Sequence, residues 1–276
     1  SHGFLGGYRE SDHSISCSVV AAQDGAMETD YEYAVARDAA DLPSPAAVGA
    51  EAGRRTVARL GGTKLETRTA PVLFPARVAR GLIGHLLGAI SGGALYRKSS
   101  FLVDALGKPV FASRVTIDER PHLPKALNSA PFDNEGVETT ERRLVDGGVL
   151  GGYLLGSYYA RKLGMQTTGN AGGAHNLVVH DTGQSFAELL KMMGTGLVVA
   201  DLMGSGVNPV TGDYSRGASG FWVENGAIQY PVTEITIAGN LKDMYQHILG
   251  IGTDLDKRGG VLTGSILVEE MTVAGS

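Results

Sequence analysis

The chain reads Gly220-Phe-Trp-Val-Glu-Asn-Gly-Ala-Ile-Gln-Tyr-Pro-Val232 across its strongest turn signal. Asn-Gly is favoured at the centre of a type I′ turn because both central positions need a positive φ. The flanking residues are largely apolar and aromatic, as is typical of strands that pack on a core. This stretch therefore predicts an antiparallel hairpin, and a further strand is expected at 234–238.

A second hairpin is predicted near the start of the chain. Its strands at 14–22 and 27–36 flank the turn residues Gln23-Asp24-Gly25. In the second strand, apolar or aromatic residues and Thr29 alternate with acidic residues, which indicates a sheet with one buried face. The alternating set is Met27, Thr29, Tyr31, Tyr33 and Val35 against Glu28, Asp30 and Glu32.

Helix signals occur between the strands. Ser44-Pro45 is an N-cap followed by proline at the first helical position, so a helix is predicted from there to Leu60. Ser185 with Glu188 forms a capping box for a helix over 185–193. Another helix is predicted over 75–90. Its glycines, Gly81, Gly84 and Gly88, share one stripe, where another backbone can approach closely.

The remaining pattern adds strands at 70–74, 109–118, 137–145, 150–155, 176–180, 197–202 and 262–273, with helices at 157–163 and 241–249. The total is about ten strands and five helices, and most strands follow one another through hairpins. The predicted fold class is therefore α+β, with a mainly antiparallel sheet or barrel-like core and several helices packed against it. A parallel α/β fold is disfavoured.

Composition excludes several classes of protein. The net charge is −5, which gives no general basis for binding nucleic acid or anionic lipid. Cys17 is the only cysteine, so no intramolecular disulfide can form and an intracellular location is expected. The longest apolar stretch, 81–96, is shorter than the roughly 20 residues that span a bilayer. Because the sequence begins without methionine, we expect it to be the remainder of a longer chain.

Common catalytic motifs are missing from the sequence. It contains no phosphate-binding P-loop, no Gly-x-Ser-x-Gly nucleophile elbow and no His-Glu-x-x-His pair. The seven histidines are His2, His13, His85, His122, His175, His180 and His247. Of these, His85 is the most interesting because it lies midway along the glycine-lined apolar helix.

A basic cluster lies on the helix after Ser44. It consists of Arg54, Arg55 and Arg59, and we interpret it as a solvated face.

Three polar clusters are turns or ligand-binding loops, and the residues leave both interpretations open. They are Arg97–Ser100, Phe132–Gly136 and Thr167–Gly173. Glycine-rich polar loops can bring backbone N–H groups up to an extended ligand.

Five stretches together resemble a known family: 84–93, 96–101, 211–217, 220–226 and 234–241. They are similar to the PmbA (also called TldE) branch of the TldD/PmbA proteins. The resemblance implies a subunit of a cytoplasmic zinc metallopeptidase, a TldD–TldE heterodimer that degrades unfolded peptides and matures a peptide antibiotic. It also implies that 1–69 form a hairpin and helix continuing from a missing N-terminal domain, and that 70–276 are the β-rich C-terminal domain.

The catalytic branch of that family carries a His-Glu-x-x-x-His helix, in which two histidines bind zinc and the glutamate is the general base. Here the corresponding helix has Arg80 and Gly81 at the first two positions, and only His85 matches. The catalytic branch also has a cysteine ligand where this chain has Val115. A catalytic zinc needs three protein ligands. The resemblance therefore implies no catalytic residues, no bound zinc and no peptidase activity in this chain alone, with zinc held by the catalytic partner.

The family comparison also suggests peptide-facing positions. His85, Asp133, Glu135, Thr168, Gly169 and Asn170 are the candidates. The expected partners are a TldD-type catalytic subunit and an unfolded peptide, with a homodimer as an option in isolation and with no membrane and no direct nucleic acid contact. Two alternatives stay open: a self-sufficient metallopeptidase with an unrecognised site, and a protein-binding modulator of DNA gyrase.

Overall fold

A computed structural model of the chain describes residues 3–275. Over this range the strands form sheets of two, six and five strands. The strands are β1 (His13–Gln23), β2 (Ala26–Ala36), β3 (Arg68–Phe74), β4 (Ile117–Glu119), β5 (Arg142–Asp146), β6 (Val149–Leu150), β7 (Leu177–Val179), β8 (Gly196–Met203), β9 (Asp213–Glu224), β10 (Ala227–Asn240), β11 (Ile248–Ile251), β12 (Val261–Leu262) and β13 (Ile266–Gly275). The helices are α1 (Pro45–Ala58), α2 (Ala76–Ala89), α3 (Gly92–Tyr96), α4 (Ser157–Lys162), α5 (Phe186–Met193) and α6 (Leu241–Gln246).

The first hairpin forms where it is predicted, but it buries the opposite face, since Asp30 is 6% exposed and Met27 and Tyr31 are 71% and 46% exposed. β1 and β2 pair from His13↔Ala36 to Gln23↔Ala26 without a register shift. Asp24 and Gly25 both have positive φ, as a type I′ turn requires. Helix α1 follows and packs on both strands, and its N-cap Ser44 accepts a hydrogen bond from the backbone N–H of Ala47.

Five strands of the largest sheet close into a barrel. They pair in the order β10-β9-β8-β3-β13, and β13 pairs again with β10. All of these pairs are antiparallel except β3–β8. The α+β class with a barrel-like core is therefore confirmed.

The β9–β10 hairpin turns at Asn225-Gly226, where both residues have positive φ. The strand predicted at 234–238 is present, but it is not a separate strand. It belongs to β10, which continues after an irregularity between Val232 and Ile235. Glu234 has a φ of 53° at that bulge. The bulge bends a long strand so that it can pair with both β9 and β13.

Several predicted strand limits are wrong. Of 109–118, only the last two residues belong to a strand, because backbone N–H groups such as those of Val110 and Ala112 bond to the carbonyls of Gly148 and Tyr245, which lie outside the strands. The strands predicted over 137–145 and 150–155 reduce to β5 and β6. The helix predicted over 241–249 ends at Gln246, since the next residues pair with β13. The final strand divides into β12 and β13.

Helix α2 packs against both the barrel and the five-stranded sheet. Its buried residues are Ala79, Leu82, Ile83, Leu86 and Ala89. They belong to one hydrophobic cluster with barrel residues such as Phe74 and with residues of the five-stranded sheet such as Leu144. Between residues 3 and 275, no helix combines the length and apolar character needed to cross a membrane.

Candidate functional site

One face of α2 lies along an open groove. Gly81, Gly84 and Gly88 lie on this face, and a methyl group added at any of them would have no atom within 4 Å. Among residues 3–275, therefore, no other backbone makes the close approach that the glycine spacing predicted. The stripe instead leaves room beside the helix.

The first part of the groove is apolar and surrounds His85. A cavity of about 350 Å³ is lined by His85, Phe101, Gly204, Ser205, Val207, Pro209, Arg216 and Leu241. The rings of His85 and Tyr214 pack in a T-shaped arrangement, with 5.9 Å between their centroids. Burial lowers the pKa of His85, and the nearby Arg216 guanidinium lowers it further. A neutral imidazole is thus favoured at this point.

The second part of the groove is basic. A neighbouring cavity, also of about 350 Å³, is lined by Arg77, Arg80 and Arg216 together with Gly81, Asp201 and Leu202 among others. Both cavities share Arg216. The groove therefore runs along α2 from an apolar end at Phe101 to a basic end at Arg77.

The arginines at the basic end have few acceptors. Arg80 donates to the carbonyl of Arg258 at 3.0 Å, and its guanidinium lies 5.7 Å from the ring centre of Tyr33. Arg216 donates from Nη2 to the carbonyl of Leu202 at 3.3 Å. Nε of Arg216 is buried without a hydrogen-bond partner among the described residues. Within the same range, neither Arg80 nor Arg216 pairs with a carboxylate.

A third cavity of about 240 Å³ adjoins the basic end through Arg77. Here the Asp30 carboxylate is shared by Arg55 at 3.0 Å, Arg59 at 3.7 Å and Arg77 at 3.6 Å. The solvated-face interpretation is wrong for Arg55 and Arg59, whose side chains are only 14% and 13% exposed. The acidic face of the hairpin lies against α1, and its ion pairs with Arg55 and Arg59 keep these two side chains buried. Arg54 is exposed and pairs with Glu51, as on a solvated face.

The residues at the zinc-motif positions do not fit a zinc ion. Arg80 is a cation, Gly81 has no side chain and Val115 is fully buried in the core. His85 is a single imidazole with a guanidinium beside it, which repels a divalent cation. Across residues 3–275, no three His, Cys, Asp or Glu side chains converge in a way that could hold a metal. His2 lies outside the described residues.

Three of the peptide-facing candidates make internal hydrogen bonds on the five-stranded sheet and its loops. Asn170 donates to the buried carboxylate of Glu119 at 2.7 Å and accepts from Arg142 at 2.8 Å. Thr168 donates to Asn170 at 2.7 Å and accepts from the N–H of Leu155 at 2.8 Å. The carbonyl of Gly169 lies 3.0 Å from Nε2 of His175. These contacts hold the loop after α4 in place.

The other two candidates on this side hold backbone groups. Asp133 is 5% exposed, and its carboxylate accepts from the N–H groups of Glu135, Val137 and Ala171. Glu135 is exposed and accepts from the N–H of Ser157 at 2.8 Å, at the start of α4. These five residues thus form one loop cluster, and His85 shares no hydrogen bond with them in the described chain. A peptide-facing role for them stays a prediction.

Sequence reasoning missed Arg77 and Arg216 as site residues. Arg77 precedes Arg80 by three positions and Gly81 by four, so it had to share their helix face. Arg216 follows Tyr214 by two positions on a strand, which places both on one face. Both spacings can be read from the sequence. The contact between α2 and β9 cannot, because it depends on closure of the barrel.

Family models and known relatives agree with this architecture. The model for the PmbA/TldA metallopeptidase C-terminal domain matches residues 67–275, and that for the central domain matches residues 1–60. The chain therefore belongs to the PmbA/TldD family of metallopeptidases.

Among curated proteins, Metalloprotease PmbA of Escherichia coli O157:H7 is 55% identical and its homologue from Haemophilus influenzae is 53% identical, each over the whole of this chain. The chain spans 61% of the length of each of these relatives. A Metalloprotease TldD homologue from Haemophilus influenzae is 26% identical, covering 82% of this chain and 52% of its own length.

Two crystal structures share the fold over most of the chain. One is from Bacteroides thetaiotaomicron, with a TM-score of 0.94, 28% identity, and coverage of 100% of this chain and 62% of that one. The other is from Thermotoga maritima, with a TM-score of 0.88, 34% identity, and coverage of 95% and 62%. Both of those proteins are provisionally named modulators of DNA gyrase.

Proposed function

We propose that this chain is a non-catalytic part of a TldD/TldE-type metallopeptidase complex, in which it shapes the chamber for unfolded peptides while a TldD-type partner holds zinc. One observation carries the proposal. The helix face that would present zinc ligands and a general base instead presents Arg80, Gly81 and His85 beside Arg216. Such a face binds and positions a substrate, but it offers no base and no metal-bound water.

The groove along α2 supports peptide binding. Glycines leave space next to the helix backbone, and the apolar cavity at Phe101, Val207 and Leu241 can take an aliphatic or aromatic side chain. An extended peptide bound mainly through its backbone would tolerate many sequences. This tolerance suits unfolded substrates.

The proposed partner is a related chain of the catalytic type. The similarity to a TldD homologue over 82% of this chain supports two subunits of one architecture. A homodimer in isolation is an option when that partner is absent. We also propose a cytoplasmic location, supported by the single cysteine Cys17, and no direct contact with nucleic acid, supported by the net charge of −5.

Zinc content tests the first half of the proposal. Purified, tag-free chain is dialysed against micromolar zinc and analysed by mass spectrometry, beside a TldD-type protein as the positive control. We expect fewer than about 0.1 zinc ions per chain, because a catalytic site needs three ligands. A content near one, abolished by His85→Ala, would instead support a self-sufficient metallopeptidase.

Reconstitution tests the second half. The chain is mixed with the TldD-type protein, and the mixture is analysed by size-exclusion chromatography and by cleavage of an unfolded peptide. We expect co-elution, and hydrolysis only in fractions that contain the TldD-type protein. Two separate peaks would contradict the partner assignment.

A further inference from the structure

We propose that Arg77, Arg80 and Arg216 form a carboxylate pocket that receives the C-terminal carboxylate of a peptide lying in the α2 groove. The inference rests on the proposed peptide-binding function and adds to it the direction in which the bound peptide lies along the groove. The three guanidinium groups line one cavity of about 350 Å³ at the basic end of the groove.

One of these arginines has an N–H group without an acceptor. Nε of Arg216 is buried and has no hydrogen-bond partner among residues 3–275. Nη1 of Arg77 is also buried without a hydrogen bond, but it lies 3.6 Å from the Asp30 carboxylate and is ion-paired with it. Buried polar groups are nearly always paired, because an unpaired one loses its hydration without compensation. A ligand carboxylate would give the Arg216 guanidinium the acceptor that it lacks and would add to the attraction that Asp30 exerts on Arg77. Arginine is well suited to this role, because its planar fork matches the geometry of a carboxylate.

The protein's own acids do not neutralise this pocket. Among residues 3–275, Asp201 is the only acidic residue in the cavity lining, so one carboxylate stands against three guanidinium groups. The Asp30 carboxylate near Arg77 is shared with two further arginines. Asp256 is held by Arg258 at 2.8 Å. The cavity therefore keeps a positive local charge although the chain as a whole is acidic.

The shape of the groove favours a peptide terminus over a free anion. Arg216 lines both the basic cavity and the apolar cavity at His85, so one ligand can occupy both. A peptide end offers the matching chemistry, with a carboxylate at the last residue and an apolar side chain just before it. Inorganic phosphate would fill the basic part alone.

The test compares two forms of one peptide. An N-terminally fluorescent, leucine-rich peptide is made with a free C-terminal carboxylate and with a C-terminal amide, and binding to the purified chain is followed by anisotropy. We expect the free acid to bind at least about tenfold more tightly, because charge-assisted hydrogen bonds are lost in the amide. In Arg216→Gln and Arg80→Gln this preference should disappear. Arg54→Gln, which alters an exposed arginine outside the pocket, should keep it.

The outcomes separate this inference from the proposed function. Equal affinity of acid and amide for the unmodified chain would overturn the carboxylate pocket and leave peptide binding intact. An amidated peptide ending in aspartate that binds as tightly as the free acid would overturn the assignment to the main-chain terminus. Competition by millimolar phosphate as strong as competition by unlabelled free-acid peptide would also overturn it. Absence of binding by either peptide would remove the proposed function as well.

Discussion

Arg142 and Glu119 form a buried ion pair, with 2.7 Å between Nε and Oε2. The Glu119 side chain is 1% exposed, and its other oxygen accepts from Asn170 and from the N–H of His175. Arg142 also donates to the carbonyl of Tyr153. The pair therefore links two strands of the five-stranded sheet to the loop that carries Thr168, Gly169 and Asn170.

Removing Arg142 should destabilise the protein strongly. Arg142→Ala leaves the Glu119 carboxylate buried without its cation, and such a loss costs about 3–5 kcal/mol of unfolding free energy. The matched control is the next residue, Arg143→Ala, whose side chain is 51% exposed and pairs with Asp118 and Asp146 at the surface. Exposed pairs contribute little. Urea unfolding of both variants is the measurement, and equal midpoints would contradict the importance of the buried pair.

Gly169→Ala should be more destabilising than Gly164→Ala, although both glycines have similar positive φ values of 69° and 67°. The shared backbone strain costs about 1–2 kcal/mol. At Gly169 the new methyl would also lie 2.8 Å from the carbonyl oxygen of Glu138, whereas at Gly164 no neighbouring atom of residues 3–275 lies within 4 Å. That overlap should add about 1–3 kcal/mol. Thermal or urea unfolding measures the difference, and equal losses would show that the loop relaxes around the methyl group.

The two hairpins were predictable because their information is local. Asp24-Gly25 and Asn225-Gly226 specify turns of positive φ, and alternation over a few residues indicates a strand. The alternation did not identify the buried face of the first hairpin, because Asp30 is 6% exposed whereas Tyr31 is 46% exposed. The parallel pairs β3–β8 and β7–β12 join strands far apart in sequence. No short-range pattern reports such a pairing, so the predicted mainly antiparallel sheet did not include them. The capping box at Ser185 and Glu188 is local and was also predicted.

The candidate site also contains residues that the sequence predicted and residues that it could not predict. His85 was found from its position on an apolar helix, and its spacing from Arg80 follows from the sequence. The buried state of Arg55 and Arg59 was not predictable, because it depends on the hairpin acids Asp30 and Glu28 lying against α1. Polar residues at loop positions, such as Asp133, carry no sequence signal that separates a ligand-binding role from internal hydrogen bonding.

His85 should titrate below the ordinary histidine pKa of about 6.5. Burial lowers its pKa first and the Arg216 charge second, so Arg216→Gln should raise the pKa only in part. The folded state binds this proton less readily than the unfolded state. Unfolding free energy should therefore fall as the pH drops below about 6.5. NMR titration of the imidazole, assigned with His85→Gln, measures the pKa, and the same variant should weaken the pH dependence of stability. A pKa unchanged by Arg216→Gln would contradict the contribution of that charge.

Gly84→Ala offers the sharpest test of the groove, because stability and binding should move in opposite directions. Alanine has a higher helix propensity than glycine by about 1 kcal/mol, and in the described part of the chain a methyl at Gly84 meets no neighbouring atom within 4 Å. The variant should therefore unfold at a higher temperature. The same methyl narrows the space beside α2, so affinity for an unfolded peptide should fall. Gly53→Ala in α1 is the control, since its methyl also meets no described neighbour within 4 Å and should raise stability without changing binding. If both variants bind peptide as tightly as the unmodified chain, the substrate does not lie along this face of α2.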